Sequence, residues 1–189
     1  MEYLDHRAPG AVPRLLGPSW HELAAPVRGL HLDGAPFSGA GRFRVRHGAG
    51  PIGALLARLL RLPSANEAAS LRLLVTPLGR GERWVRTFDG APLVSTQRED
   101  GGRLVERIGP LELGFRLEVR NGALHYLQAG AALSVGTVRI PFPRALAPRI
   151  EAREEPEGTE GTRVSVAVTV PWVGLLVAYG GYLETDAGR

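Results

Sequence analysis

The chain has 189 residues, 44% apolar and 22% charged, which suits one domain with a sizeable core and excludes wholesale disorder. It contains no cysteine, which excludes a disulfide framework, a thiolate metal site and a cysteine nucleophile while leaving the redox compartment open. All basic residues are arginines and the net charge is +4, but these arginines alternate with carboxylates instead of forming one patch, so no nucleic-acid partner is expected.

The pattern predicts a first helical segment over 12–31, interrupted at Gly17-Pro18 and re-entered through Ser19-Trp20-His21-Glu22, which has the spacing of a capping box. Trp20, Leu23, Val27 and Leu30 fall on one stripe, and Pro26 limits the helix length. A strand follows over 41–47, with Phe43, Val45 and His47 on one face and Arg42, Arg44 and Arg46 on the other. The second helical segment, 51–62, opens at Pro51 and closes before Pro63. It is leucine-rich with only Arg58 and Arg61 clearly polar, so it is either well buried or set on an apolar surface.

From Ser70 onward the period changes to two, and turn signals such as Asp89-Gly90, Gly109-Pro110 and Asn121-Gly122 punctuate short alternating runs. Strands are expected near 70–76, 82–88, 92–98, 103–108, 112–120, 123–128, 133–140, 162–170 and 175–184, with Glu151 to Gly161 as an exposed loop. The fold class is therefore α+β but mostly β: a curved antiparallel meander closing into a lipocalin-like barrel or half-barrel, with two N-terminal helical segments. The whole of 1–189 reads as one domain, with strands at 41–47 and across 70–184.

Two strands depart from simple alternation of apolar and charged faces. Glu82, Trp84, Arg86 and Phe88 share one side of the first, and Leu104, Glu106 and Ile108 share one side of the second. An arginine and a glutamate on apolar faces of nearby strands can pair, so Arg86 with Glu106 is the expected ion pair. Such a pair either sets strand register in a solid core or forms the polar wall of a pocket, with the arginine on a ligand oxygen and the glutamate as base or anchor. On the last strand Tyr179 directs its hydroxyl into the same interior, beside Gly180-Gly181. Tyr126 shares a face with Leu124; for both tyrosines the alternatives are a simple buried hydrogen bond and a ligand contact.

The histidines, His6, His21, His31, His47 and His125, show no metal-binding spacing, and His47 is read as an inward, core-satisfied residue. There is no dinucleotide fingerprint, phosphate-binding loop or Gly-x-Ser-x-Gly elbow, so neither a metal nor a cofactor is expected. No run approaches the roughly 18 apolar residues of a membrane-spanning helix, and Met1-Glu2-Tyr3-Leu4-Asp5 does not open like a signal peptide. No membrane span is expected, and the reading is of a soluble, cytoplasmic protein.

Several motifs together resemble the bacterial domain-of-unknown-function family 4166. They are Arg14-Leu15-Leu16-Gly17 with Trp20, Val27-Arg28-Gly29-Leu30-His31, Gly41-Arg42-Phe43-Arg44-Val45 and Gly50-Pro51 with the leucine-rich helix. The likeness continues through Glu82-Arg83-Trp84-x-Arg86-x-Phe88, Gly102-x-Leu104-x-Glu106, Ile140-Pro141-x-Pro143 and Pro171-x-x-Gly174-x-Leu176-x-x-Tyr179-x-Gly181-x-Leu183. The resemblance implies a small-molecule-handling domain or a module accessory to a dehydrogenase-like protein partner, and it transfers no catalytic assignment.

The leading expectation is a barrel that binds a small apolar or amphipathic molecule, with ligand contacts from Glu82, Trp84, Arg86, Phe88, Glu106, Tyr126 and Tyr179. An alternative is a cofactor-independent cyclase or isomerase of a polyketide- or terpenoid-like substrate, with Glu106, Arg86 and Tyr179 catalytic. A third is a non-catalytic interaction module. An interior of several hundred Å³ is expected for the first two and a filled core for the third.

Overall fold

A computed structural model describes residues 10–31 and 36–185 of the chain; Met1-Asp5 and His6 lie outside them. After two short helices, α1 (Ala11–Leu16) and α2 (Ala25–Gly29), separated by a 3₁₀ segment Gly17–Glu22, come β1 (Phe37–Arg46) and α3 (Pro51–Leu59). The remainder is β2 (Asn66–Leu78), β3 (Gly81–Phe88), β4 (Ala91–Asp100), β5 (Arg103–Ile108), β6 (Leu111–Arg120), β7 (Ala123–Val135), β8 (Val138–Pro141), β9 (Arg149–Glu157), β10 (Gly161–Val170) and β11 (Gly174–Thr185).

Every pairing is antiparallel. Strands β1 to β7 pair in sequence, β7 then pairs with β9, and β9, β10 and β11 lead back to β1, which closes a ten-stranded barrel with β8 as an extra strand on β7. Closure removes the open edges that a curved half-barrel would have left. The tight turns are as the dipeptides dictate: Asp89 and Gly90 have φ of 46° and 87°, and Asn121 and Gly122 have 51° and 80°, the doubly positive φ that a two-residue hairpin turn requires.

Because successive strands run in opposite directions, all connections sort to two ends. At one end α1, the 3₁₀ segment and α2 plug the barrel: Ala11, Val12, Leu23 and Val27 are buried against inward-facing Leu104, Phe115 and Leu124. A second cluster, built on Phe43, Val45, Leu71, Leu73, Trp84 and Phe88, fills the middle. At the other end α3 lies against β11, and Gly53 meets Val173 of the β10–β11 turn.

Four sequence expectations change. The 12–31 segment is two short helices and a 3₁₀ turn, and no Ser19 capping box forms because Ser19 sits inside the 3₁₀ segment, whose N-cap is Leu16. The helix over 51–62 stops at Leu59, with Arg61 turning to a φ of 52°. Strands near 123–128 and 133–140 are one long β7 plus the short β8, bent by a register shift opposite Gly114 and Phe115. Most of the expected loop at Glu151 to Gly161 is β9, whose acidic side chains point outward except for Glu154, only 5% exposed. His47 follows β1, half-buried, with its Nε2 2.7 Å from the Pro63 carbonyl oxygen.

Candidate functional site

On β3 the residues Glu82, Trp84, Arg86 and Phe88 do face inward, and strand register brings β4 beside them: Glu82 opposite Gln97, Trp84 opposite Ser95, Arg86 opposite Leu93. Gln97 in turn lies opposite Glu106 of β5. Three strands thus form a diagonal polar row. Arg86 Nη1 donates to Ser95 Oγ at 2.8 Å and to Glu106 Oε1 at 3.2 Å, and the Ser95 hydroxyl donates to the same carboxylate oxygen at 2.6 Å. The Arg86 guanidinium carbon also stands 5.0 Å from the Trp84 ring centroid, a cation–π distance. Burial disfavours the guanidinium charge, but Glu106 and the nearby Tyr179 more than offset it, so Arg86 is raised further and stays cationic.

A second polar group sits across the lumen on β7 and β9. Glu154 Oε1 accepts the Tyr126 hydroxyl at 2.8 Å, and Glu154 Oε2 lies 2.7 Å from His31 Nε2 at the end of the N-terminal plug. Burial alone would lower the His31 pKa, but the Glu154 carboxylate, with a smaller contribution from Glu82, leaves it raised. Burial, reinforced by Glu154, pushes the Tyr126 phenol well above its ordinary value. The His31 ring tilts against Trp84 at 5.6 Å, and Trp84 Nε1 donates to Glu82 Oε2 at 3.0 Å, which links the two walls.

Between these walls is a cavity of about 100 Å³, bordered by Trp84, Arg86, Glu106, Tyr126, Glu154 and Tyr179 among largely apolar neighbours. Tyr179 packs edge-on to Phe88 at 5.4 Å, and burial raises its phenol pKa although Arg86 opposes this. Its hydroxyl, unlike that of Tyr126, has no hydrogen-bond partner among the described residues. The amide oxygen of Gln97 and the Nδ1 of His31 are likewise buried without a partner among them.

All seven residues expected from sequence thus lie in the barrel interior. Glu82 and Phe88 serve mainly the packing around Trp84 and Tyr179. Sequence reading missed Ser95, Gln97, His31 and Glu154. The available signal was weak: Leu93, Ser95 and Gln97 alternate with Val94, Thr96 and Arg98, leaving neither face purely apolar, and Glu154 is hidden in an acidic run.

A family model described as a domain of unknown function, DUF4166, matches residues 23–183. The chain belongs to the DUF4166 family. No curated protein and no solved structure matches it. The DUF4166 match runs from Leu23, inside the N-terminal plug, to Leu183 on β11, so it includes both polar walls of the cavity. Among the described residues no group of three or more histidine and carboxylate side chains is arranged to hold a metal, and no helix is long and apolar enough to cross a membrane.

Proposed function

We propose that the barrel interior binds a small, mostly apolar and uncharged molecule bearing a hydroxyl or amine donor. The observation that carries this reading is the cavity of about 100 Å³ bounded by two internally paired polar networks. Arg86 is already neutralised by Glu106, so it offers little to an anion. The charged residues that border the space already have partners or face outward: Glu106 pairs with Arg86, Glu154 holds Tyr126 and His31, and the Arg153 side chain is 53% exposed. A carboxylate ligand would find no free cation there and would meet Glu106 and Glu154 at low dielectric, whereas a hydroxyl can donate to a carboxylate and accept from Tyr179.

The volume limits size as well. It is somewhat below the about 150 Å³ of an apolar cavity that accepts benzene, and below the several hundred Å³ of usual ligand sites. A cyclase acting on a fused-ring or terpenoid skeleton would need that larger space. The accessory-module reading would need no space at all.

The test is calorimetric titration of the intact chain with 2-propanol and acetate, of similar size, smaller than benzene, and different charge. Saturable binding of 2-propanol, with acetate at least about tenfold weaker, is expected. Preferential acetate binding that disappears in Arg86→Met would replace this reading with an anion site, and no binding of either probe would favour a purely structural interior.

A further inference from the structure

We propose that the end of the barrel covered by α3 docks on a lipid surface rich in anionic headgroups. The orientation of α3 first points to this. Its buried residues are the smallest, Gly53 and Ala57, while Ile52, Leu55 and Leu59 are 63%, 66% and 74% exposed. Those three lie on one stripe, so the helix turns its largest apolar side chains away from the core, the reverse of an ordinary amphipathic helix.

The same end gathers the other protruding apolar residues. Trp172, in the β10–β11 turn, is 86% exposed, and Val135, Val138 and Ile140, in the β7–β8 hairpin, are 67%, 59% and 59% exposed. The strand directions place both connections at the α3 end, and contacts make the surface continuous. Gly53 of α3 adjoins Val173, Leu59 to Arg61 border one groove with Gly109 and Pro110, and Ser134 N donates to the Pro110 carbonyl at 2.7 Å. A rim of aliphatic side chains and a tryptophan, projecting from a helix and separate hairpin tips, suits insertion at the depth of headgroups better than a flat protein contact.

Charge supplies the complement. The segments 47–65, 136–148 and 171–173 at this end contain Arg58, Arg61, Arg139 and Arg144 and no aspartate or glutamate; Arg139 is paired to Glu112 of β6, which leaves Arg58, Arg61 and Arg144 to meet an anionic surface. The nearby turn residue Asp89 is held by Ser70 and Asn66. Basic side chains next to exposed apolar ones are what an anionic leaflet attracts. The barrel flanks carry charges of both signs, including Arg44 paired to Glu67 and Arg163 paired to Glu157, so contact is confined to the tip. The inference is independent of what the interior binds.

Co-sedimentation of the full chain with phosphatidylcholine vesicles, with and without one quarter phosphatidylglycerol, tests it. Binding to the anionic vesicles is expected, falling at least about tenfold in Leu55→Asp/Leu59→Asp, and about fivefold per residue at low salt in Arg58→Gln and Arg61→Gln. Leu78→Asp, at the opposite end and 54% exposed, is expected to bind like the parent chain. All these positions are exposed, and circular dichroism checks that the variants fold. Failure of the parent chain to sediment with anionic vesicles overturns the proposal, as does equal binding by the Leu55→Asp/Leu59→Asp chain. So does a concentration-dependent dimer, without vesicle binding, that this double variant abolishes.

Discussion

Arg86 and Glu106 supply the sharpest test of how the interior is built. Their side chains are 13% and 14% exposed, and the hydrogen bonds joining them through Ser95 leave each charge dependent on the other. Arg86→Met keeps the stem and strands the Glu106 carboxylate; Glu106→Leu strands the guanidinium with only Ser95 and the Trp84 ring. Each single change should cost about 3–5 kcal/mol, the penalty for leaving a buried charge unpaired. The double variant removes both charges and should recover most of that loss, retaining a deficit of about 1 kcal/mol because the Ser95 hydroxyl loses its acceptor. Urea unfolding reads the cycle directly. With a slope of about 2 kcal/mol per molar, each single should lower the midpoint by about 1.5 M or more, and the double by about 0.5 M. If the double equals the sum of the singles within about 0.5 kcal/mol, the two charges do not stabilise one another. If each single costs less than about 1 kcal/mol, water in the cavity already solvates them.

The two tyrosines should separate by their partners: Tyr126→Phe breaks the 2.8 Å bond to Glu154 and should cost about 1.5–3 kcal/mol, whereas Tyr179→Phe should change unfolding free energy by less than about 0.5 kcal/mol while weakening 2-propanol binding. The raised His31 pKa makes its contribution full below the unfolded value of about 6.5 and lost as pH rises through the folded value. The stability gap between the parent chain and His31→Gln should therefore narrow upward from about pH 6.5, and a pH-independent gap would refute the assignment. Glu112, 6% exposed, is held low by hydrogen bonds from Arg139 and Arg98, although burial opposes them. It should stabilise the fold above about pH 4.3 and lose that effect as acid lowers the pH through its folded value, a limb that Glu112→Gln should remove from a pH series of urea midpoints.

How much of this was legible follows from what each residue answers to. Alternation along β3, β5, β6 and β10 is visible because one face of each meets a mostly apolar interior, and the Asp-Gly and Asn-Gly turns are visible because few other dipeptides accept two positive φ values. The Arg86–Glu106 pair was legible for the same reason: each charge broke an otherwise apolar face. Glu154 was not, because β9 runs through Glu151, Glu154, Glu155 and Glu157, where one inward carboxylate looks like its outward neighbours. His31 was not, because its role depends on the N-terminal plug reaching the β7–β9 wall, a contact across 123 positions that no local pattern encodes. The helix ends were misjudged for a related reason: short segments of this kind are held by tertiary packing more than by capping.

The cavity itself bears on whether this interior is only a support. At about 24 cal/mol per Å³, an empty volume of about 100 Å³ carries a cost of about 2 kcal/mol. Much of that cost is avoidable, because Ala152 of β9 lines the space and a larger aliphatic side chain there would occupy it. Ala152→Leu should therefore raise the unfolding free energy by about 1–2 kcal/mol in the absence of ligand and abolish 2-propanol uptake. Stabilisation together with lost uptake is what a space kept for a ligand requires, since stability and function then pull residue 152 in opposite directions. If Ala152→Leu is instead destabilising by more than about 1 kcal/mol, the wall is already fully packed around the alanine and the space cannot receive a molecule without rearrangement.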